Sequence, residues 1–503
     1  MVSLNCPGSG QPCLPRDTEG DGMSSDQLVA LLPVIALGAL PVVLILAIAV
    51  HRGERLTLGL ALAGLALALA ALVPASHVAP VVVTPLLAID GPALAFTALA
   101  ALAGATTVLL ARGEQPPGGE PAEELYVLVS LAVLGAAVLA ASRHLAALFL
   151  GLELISVSLF PLIAYARARP EALEAGIKYL VLSSVATGML LFGMALLYAG
   201  IGALDLAAIG EALTQQASAG VWVPGGLALL LAGLGMKLSL VPLHWWTPDV
   251  YEGAPTAVTG FLASVAKAAV VVVLLRLLTA SDAGGQTPAL LVLAGLAVLS
   301  MLIGNLLALR QHRVVRILAY SSIAHMGYLL VAVMAALLST LAGASKLGLE
   351  AVGFYLAAYV ITTLGAFGAL GISGAGELED LNGLARRRPW LGAVFTLMLL
   401  SLAGIPLTAG FIGKVYLFAA GIEGALWLPV GVLAASSVLG LFYYLRVILA
   451  IYTIPTSEAA LAGRPANLAG GTALAALTLT LIWLGVWPAP LIALIRSTVV
   501  GGL

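Results

Sequence analysis

Charged side chains are scarce in this 503-residue sequence: only 9% of its residues are Asp, Glu, Lys or Arg, and 61% are hydrophobic. A soluble domain carries about 25% charged residues. A chain with so few could not maintain a water-facing surface, so we expect most of it to face lipid or other buried helices. The net charge of −2 gives no basis for binding nucleic acid.

Cysteine is almost absent, since only Cys6 and Cys13 occur and both precede the first apolar run. The rest of the chain therefore has no thiolate for an iron–sulfur cluster or a structural zinc. It also lacks a phosphate-binding loop, a Gly-x-Gly-x-x-Gly motif after a strand and paired histidines with ligand spacing. We expect this chain itself to bind no metal and no redox cofactor.

Residues 1–22 are polar, rich in Gly and Pro, and lack the short apolar core of a signal peptide. Met23 stands just before the first apolar run, as a natural start would. Two interpretations stay open: an over-extended N-terminus that is not translated, and a real, disordered, exported tail.

Long apolar runs fill the remainder. A bilayer core of about 30 Å requires roughly 20 apolar residues per helix, and the ten-residue alternation of an outer-membrane barrel is missing. The sequence predicts an all-α polytopic membrane protein with about fourteen transmembrane helices. The runs lie near 27–50, 56–76, 90–111, 124–142, 144–165, 171–200, 225–246, 256–279, 288–309, 312–335, 348–374, 390–417, 424–452 and 467–491.

Arginine in the loops predicts the orientation, because cytoplasmic loops carry the excess of positive charge. Placing both termini outside puts all the arginine-rich loops in the cytoplasm. It also leaves Asp205, Glu211 and Glu423 on the outer side. The arginines concerned are Arg52, Arg55, Arg167, Arg169, Arg310, Arg313, Arg316, Arg386, Arg387 and Arg388.

Two spans are interrupted by proline, the seventh at Pro242 and the twelfth at Pro406. Interrupted helices in corresponding positions of two halves indicate an inverted repeat with its site near the middle of the membrane. We therefore expect five segments: the extension (1–22), helices 1–3 (23–123), a first repeat of helices 4–8 (124–285), a second of helices 9–13 (286–455) and helix 14 (456–503).

Lysine is rare and unusually placed. Of Lys178, Lys237, Lys267, Lys346 and Lys414, only Lys346 lies in a loop. A charge in mid-bilayer costs roughly 2.5–3.5 kcal/mol on insertion scales. An arginine stays protonated, whereas a buried lysine can release its proton. We interpret the four membrane lysines as proton carriers.

Other titratable residues accompany them. Glu153, in the middle of the fifth span, is the expected counter-charge of Lys237 and with it forms a proton switch, or else a static pair that fixes packing. His244 is either a bridge between proton carriers or a histidine satisfied at the helix break. His325 has a relay role or a packing role, and Lys178 either relays protons or extends to the membrane surface.

Four further residues have simpler predicted roles. Asp90 and Glu350, at the ends of spans, are predicted to be solvated caps. Tyr443 and Tyr444 are predicted to anchor their helix at the membrane interface.

Several strings of this sequence resemble the antiporter-like N subunits of bacterial NADH–quinone oxidoreductase (complex I). The most specific is Asp249-Val250-Tyr251-Glu252-Gly253-Ala254-Pro255, because the related L and M subunits and Mrp-type antiporters differ there. The M subunit also has a glutamate where Lys414 stands. The other matching strings are 151–156, 177–179, 242–244, 246–248, 304–306, 316–325, 404–408 and 413–414.

This resemblance implies a fourteen-helix fold with two inverted five-helix repeats in a bacterial inner membrane. The outer side predicted above for both termini from the loop arginines is then the periplasm. It implies a switching pair of Glu153 and Lys237, a central carrier Lys267 and an exit-side carrier Lys414, with accessory positions at Lys178 and His244. It further implies membrane-subunit partners, with NADH, FMN, Fe–S clusters and quinone bound elsewhere in the complex.

Three functions remain in competition: a proton-pumping subunit driven by redox chemistry elsewhere, an Mrp-type Na⁺/H⁺ antiporter subunit, and a structural scaffold. The motif at 249–255 favours the first.

Overall fold

The structure, a computed structural model, describes residues 4–5, 14–15, 23–114, 123–214, 220–280, 287–341, 346–454 and 468–500. Most of the polar extension, with Cys6 and Cys13, lies outside this range, as do the predicted boundaries at 285 and 455. The described residues are almost entirely helical, which confirms the all-α prediction.

Helices of very different lengths make up the fold, with four short strands beside them. The strands are β1 (Leu4–Asn5), β2 (Leu14–Pro15), β3 (Val81–Val82) and β4 (Ala88–Ile89), paired antiparallel as β1–β2 and β3–β4. The helices are α1 (Ser25–Val50), α2 (Glu54–Val78), α3 (Gly91–Glu114), α4 (Glu123–Ala141), α5 (Leu145–Ile163), α6 (Pro170–Ile201), α7 (Leu206–Thr214), α8 (Trp222–Leu238), α9 (Trp246–Gly253), α10 (Thr256–Phe261), α11 (Lys267–Ala280), α12 (Thr287–Leu309), α13 (Val314–Leu341), α14 (Leu347–Ser373), α15 (Leu384–Arg387), α16 (Pro389–Ala403), α17 (Ala409–Glu423), α18 (Trp427–Tyr452), α19 (Leu468–Val486) and α20 (Ala489–Ile495).

Among the described residues, twelve helical segments are long and apolar enough to cross a membrane: eleven of the helices above, and the continuous segment Thr256–Thr279 that α10 and α11 form together. Two further spans are interrupted, α8 with α9 and α16 with α17, at the places that the prolines predict. The fourteen runs of the sequence thus each correspond to a helix or an interrupted pair. The division into inverted repeats stays a prediction.

The two interruptions have the same local geometry. Ser239 and Gly404, which follow α8 and α16, both adopt the left-handed conformation, with φ of 63° and 84°. The next residue then donates a hydrogen bond to the carbonyl five positions back, from Leu240 to Gly235 at 2.8 Å and from Ile405 to Leu400 at 3.0 Å. This pattern ends a helix while satisfying its last carbonyl groups inside the membrane.

A third irregularity was not expected from the sequence. The eighth span is a single transmembrane segment, but Leu262–Ala266 forms a π-helical turn between α10 and α11. π-turns are rare and often lie at functional sites. Here the turn ends at Ala266, directly before Lys267.

The most enclosed spans are central. Residues of the eighth span and of α13 are 94% buried over their most apolar windows, against 28% for α1 and α6. Small residues permit close packing: a Cβ added at Gly151 of α5 would lie 2.8 Å from the backbone nitrogen of Leu139 on α4.

Two predicted solvated caps are wrong. Asp90 does accept a hydrogen bond from the backbone nitrogen of Ala93 at the start of α3, but it is only 8% exposed and pairs with Arg276 at 2.6 Å. Glu350 is 7% exposed and pairs with Arg496 at 2.7 Å. Both carboxylates tie distant elements together, because an arginine far along the chain folds back onto each of them.

Candidate functional site: a row of buried lysines

Glu153 and Lys237 come together as the sequence predicts, but not in direct hydrogen-bond contact. Their charged atoms lie 4.0 Å apart. The Lys237 ammonium donates to Ser156 at 2.7 Å and to Ser183 at 2.6 Å. Glu153 accepts instead from the hydroxyl of Thr187 at 2.5 Å. Helices α5, α6 and α8 thus hold a carboxylate and an ammonium at a distance where small movements change their interaction strongly.

The exposures of the two partners differ. The Lys237 side chain is 9% exposed, whereas that of Glu153 is 28% exposed on the outside of the helix bundle. A carboxylate in the middle of a membrane span is rarely left facing lipid. This side of α5 is therefore suited to contact another protein.

A cavity connects Lys237 to Lys267. About 30 Å³ of it is accessible to the centres of water molecules, which is enough for roughly two waters. Its lining includes both lysines together with Ser156, Ser183 and Tyr179. Protons can move along waters and hydroxyl groups of this kind, so the cavity joins the first pair to the central lysine.

Lys267 lies at the centre of the fold and is only 1% exposed. Its ammonium donates to Ser322 of α13 at 2.9 Å, and Ser322 in turn lies 2.8 Å from the hydroxyl of Tyr359 on α14. No described carboxylate lies within 4 Å of the Lys267 nitrogen. An ammonium here is held by one serine hydroxyl, with the ring of Tyr251 centred 5.5 Å away, rather than by a fixed counter-charge.

Lys414 of α17 is 6% exposed and donates to the carbonyl of Ala403 at 2.8 Å, beside the break between α16 and α17. This carbonyl is free to accept because Ala403 is the last residue of α16, and the last carbonyl groups of a helix have no partner within it. The lysine nitrogen also lies 5.4 Å from the ring centre of Tyr328. A small cavity with about 10 Å³ accessible to water joins Lys414 to His325.

His325 is held between tyrosines. Its Nδ1 lies 2.7 Å from the hydroxyl of Tyr355, and its Nε2 lies 3.2 Å from that of Tyr444. It also lines the Lys414 cavity. The predicted relay position is thus inside the buried polar row, although both ring nitrogens have partners.

Lys178 lies apart from this row, whereas His244 lies at its edge, close enough to Lys267 for their charges to interact. Lys178 is 40% exposed and pairs with Glu174 at 2.7 Å and with Asp249 at 3.0 Å. His244 follows the break after α8, and its Nδ1 is buried without a hydrogen-bond partner among the described residues. It is not among the residues that line the cavity between the first two lysines.

The string at 249–255, the most specific part of the resemblance, forms an ion-pair cluster. Asp249 accepts from Arg316, and Glu252 accepts from both Arg313 and Arg316. Since Asp249 also binds Lys178, this carboxylate bridges α6, α9 and α13. The cluster fixes the short helix after the first break to the start of α13.

Buried tyrosines are the main component that sequence reasoning missed. Tyr443 and Tyr444 do not anchor a helix at the interface: each is 1% exposed, and they bind Asn305 and Ser321 in the interior. The interface prediction for Tyr443 and Tyr444 was wrong because a tyrosine in an apolar helix occurs both in aromatic belts at the membrane interface and in buried hydroxyl networks. The only signal in the sequence that could have suggested a buried hydroxyl network is the spacing of the hydroxyl-bearing residues, which recur with the period of a helix on the faces that point toward Lys267 and His325.

Comparison with known proteins identifies the family. Residues 142–440 match the family model for the transmembrane proteins of NADH:quinone oxidoreductases and Mrp antiporters. NADH-quinone oxidoreductase subunit N of Ectopseudomonas mendocina is 47% identical over 493 residues, which cover 94% of this chain and 97% of that protein. The chain belongs to the subunit N family of NADH-quinone oxidoreductases.

Solved structures agree with this assignment. A chain of respiratory complex I from Thermus thermophilus, determined with bound aureothin, matches with a TM-score of 0.78 and 36% identity over 92% of this chain and 98% of that one. A chain of the Mrp complex from Dietzia matches with a TM-score of 0.81 but 23% identity, over 94% and 96% of the two chains. The second likeness concerns the fold alone.

Proposed function

We propose that this subunit N family member carries protons across the membrane within an NADH–quinone oxidoreductase. The observation that supports this most strongly is the row of three buried lysines, Lys237, Lys267 and Lys414, joined by cavities and hydroxyl groups. Two of them have no carboxylate close by among the described residues. Such groups are expensive to keep in a membrane as fixed charges, and they are useful there as carriers that gain and lose a proton.

The Glu153–Lys237 pair is the proposed switch. At 4.0 Å, with hydroxyl groups around both partners, the pair can tighten or loosen without any side chain losing its hydrogen bonds. When the carboxylate approaches, the ammonium is stabilised; when it withdraws, the proton moves toward Lys267. Lys267 is then the central carrier and Lys414 the exit-side carrier.

Three residues have accessory roles in this proposal. Lys178, near the start of α6 and partly exposed, exchanges protons with the cytoplasmic side, with Asp249 as its counter-charge. His244, which follows the break after α8, bridges proton carriers there. His325 serves the Lys414 cavity, which it lines.

The energy source lies in partner subunits. We propose that other chains of the complex bind NADH, FMN, Fe–S clusters and quinone, and that electron transfer there changes the electrostatics along the row. Other membrane subunits adjoin this one, and the exposed mid-membrane carboxylate of Glu153 marks one surface that such a neighbour covers.

We place the chain in the bacterial inner membrane with both termini in the periplasm. The loops rich in arginine then lie in the cytoplasm, as the charge rule requires. The cluster of Asp249, Glu252, Arg313 and Arg316 lies at this same end.

A Na⁺/H⁺ antiporter of the Mrp type is the alternative function. Its support is limited to the shared fold, because the Mrp chain is only 23% identical while the complex I relatives are far closer.

Lys237→Ala tests the proposal. In the assembled and reconstituted complex, we expect NADH oxidation linked to quinone to pump fewer protons per electron pair than in wild type. A complex with Lys237→Ala that assembles and pumps normally would show instead that this subunit is a scaffold.

A further inference from the structure

One tyrosine contacts the surroundings of both the central and the exit-side lysine. Tyr359 of α14 is 4% exposed, and its hydroxyl lies 2.8 Å from Ser322, which binds Lys267. The same tyrosine lines the small cavity that holds Lys414. Tyr359 is therefore part of the hydrogen-bonded chain from Lys267 and also lines the cavity that holds Lys414.

The direction of the hydrogen bonds in this chain is fixed by chemistry. An ammonium only donates, so Ser322 accepts from Lys267. The hydroxyl of Tyr359 donates to the carbonyl of Ala263 at 3.0 Å and has no second hydrogen to give. Ser322 must therefore donate to Tyr359. The chain runs Lys267, Ser322, Tyr359 and ends on the carbonyl of Ala263.

Ala263 lies in the π-turn that precedes Lys267. The π-turn thus supplies the carbonyl on which the hydrogen-bonded chain ends, and the lysine at which the chain begins follows the turn directly. While the hydroxyl hydrogen of Tyr359 points to the Ala263 carbonyl, no proton passes on, because a backbone carbonyl does not take up a proton. Rotation of the hydroxyl about its C–O bond breaks only this one neutral hydrogen bond.

We propose that the Tyr359 hydroxyl is the connection through which a proton passes from Lys267 to Lys414, and that its hydrogen bond to Ala263 closes this connection at rest. The inference rests on the proposed function. It assigns a relay role to Tyr359 and a positioning role to the π-turn.

The transfer balances as a series of proton hops. The Lys267 ammonium gives one proton to Ser322 and becomes a neutral amine, and Ser322 passes its own hydroxyl proton to Tyr359. Tyr359, with its O–H turned into the Lys414 cavity, gives its original proton to a water there or to the neutral amine of Lys414. The net result is one proton moved and each hydroxyl restored.

His325 offers no equivalent connection. Its two nitrogens bind Tyr355 and Tyr444, and Tyr444 leads on to Ser321. None of these groups has a described hydrogen bond to Lys267 or Ser322. This histidine shares the Lys414 cavity, but among the described residues the hydrogen-bonded chain from the central lysine reaches that cavity at Tyr359. Between Ser322 and Ser321 there is no hydrogen bond but a small cavity, which Tyr359 also lines.

Tyr359→Phe removes the hydroxyl and keeps the ring. Tyr126→Phe is the matched control, because Tyr126 of α4 is also fully buried and its hydroxyl donates to Glu54 of α2 at 3.3 Å, away from the row of lysines. Protons pumped per electron pair and the rate of electron transfer are measured separately on the assembled, reconstituted complex, with Lys267→Ala as reference. We expect Tyr359→Phe to lose as much of the ratio as Lys267→Ala, and Tyr126→Phe to lose none.

Ser322 supplies a second test that distinguishes relay from folding. Ser322→Ala should lower the ratio as Tyr359→Phe does, and Ser322→Thr, which keeps a hydroxyl, should restore at least half of it. If Tyr359→Phe does not assemble, this pair decides the question alone.

Two outcomes would overturn the inference in different ways. If Lys267→Ala loses pumping while Tyr359→Phe and Ser322→Ala pump like wild type, the connection lies elsewhere and the proposed function stands. If Lys267→Ala itself pumps like wild type, the proposed function fails, and the role of Tyr359 fails with it.

Discussion

At the scale of single residues, the sequence was informative about charged groups and silent about hydroxyl groups. Lys237, Lys267 and Lys414 were recognisable because a lysine within an apolar run is rare. Ser183 and Tyr359 were not, because serine and tyrosine are ordinary components of membrane helices, and only the packing of α6 and α14 shows which of them face a lysine. The burial of Asp90 was also missed, because its partner Arg276 lies 186 positions away in the sequence and only the packing brings them together.

The hydroxyl groups around Lys237 should affect proton transfer. Ser183→Ala removes one of two hydrogen bonds to the ammonium, and a bond to a charged group contributes about 1.5–3 kcal/mol. Because 1.4 kcal/mol is a factor of ten, the ammonium form of Lys237 becomes about tenfold harder to form, or more, and we expect proton pumping through this subunit to slow. Ser184→Ala is the control, since that exposed hydroxyl binds only its own helix. Equal pumping rates in both variants would contradict the prediction.

The Asp90–Arg276 pair should contribute strongly to stability. Both side chains are mostly buried, at 12% and 13% exposure, so Asp90→Asn leaves an arginine without its counter-charge. Breaking a buried pair costs about 3–5 kcal/mol. Glu124→Gln breaks the exposed pair with Arg52, where the expected loss is at most about 1 kcal/mol. The free energy of unfolding in mixed micelles measures both, and equal losses would show that burial of the pair is unimportant.

At the scale of elements, the fourteen runs and both interruptions could be predicted, because length, hydropathy and proline are local properties. The π-turn before Lys267 could not, since no proline or glycine pair marks it. The left-handed residues at the two breaks were also hidden: Ser239 is not a residue type that favours this conformation, and tertiary packing imposes it.

The second break should position Lys414. Gly404 has a φ of 84°, and a Cβ there would lie 2.7 Å from the Cδ of Lys414. Gly404→Ala is therefore expected to strain the break and displace the lysine, lowering the number of protons pumped per electron pair in the assembled complex. Gly431→Ala on α18 meets nothing within 4 Å and should behave as wild type. Normal pumping by Gly404→Ala would indicate that the lysine does not depend on this turn.

At the scale of the whole molecule, the family and its fold were predictable from motifs, because strings such as 249–255 are specific. The structure adds a reason for that specificity: Asp249 and Glu252 bind Arg316 of α13 and Arg313 just before it, and so join the short helix after the first break to α13. The repeat layout and the orientation in the membrane depend on comparisons and on charge in loops, and they stay predictions.

Cysteine labelling tests the orientation. With Cys6 and Cys13 replaced by serine, Glu379→Cys introduces an exposed thiol in the loop before α15, and Glu423→Cys introduces one at the end of α17. A membrane-impermeant maleimide should label the first only in inside-out vesicles and the second only in right-side-out vesicles. The reverse pattern would place the arginine-rich loops outside the cell and reject the proposed topology.

The central claim is that the three buried lysines act by releasing and regaining protons. Replacing each by arginine, as Lys237→Arg, Lys267→Arg and Lys414→Arg, keeps a positive charge that does not leave, and Lys346→Arg, in an exposed position before α14, is the control. The most direct measurement is the number of protons pumped per electron pair in the assembled, reconstituted complex. We predict a reduced ratio for each of the three variants and an unchanged ratio for the control; wild-type ratios in all four would contradict the account.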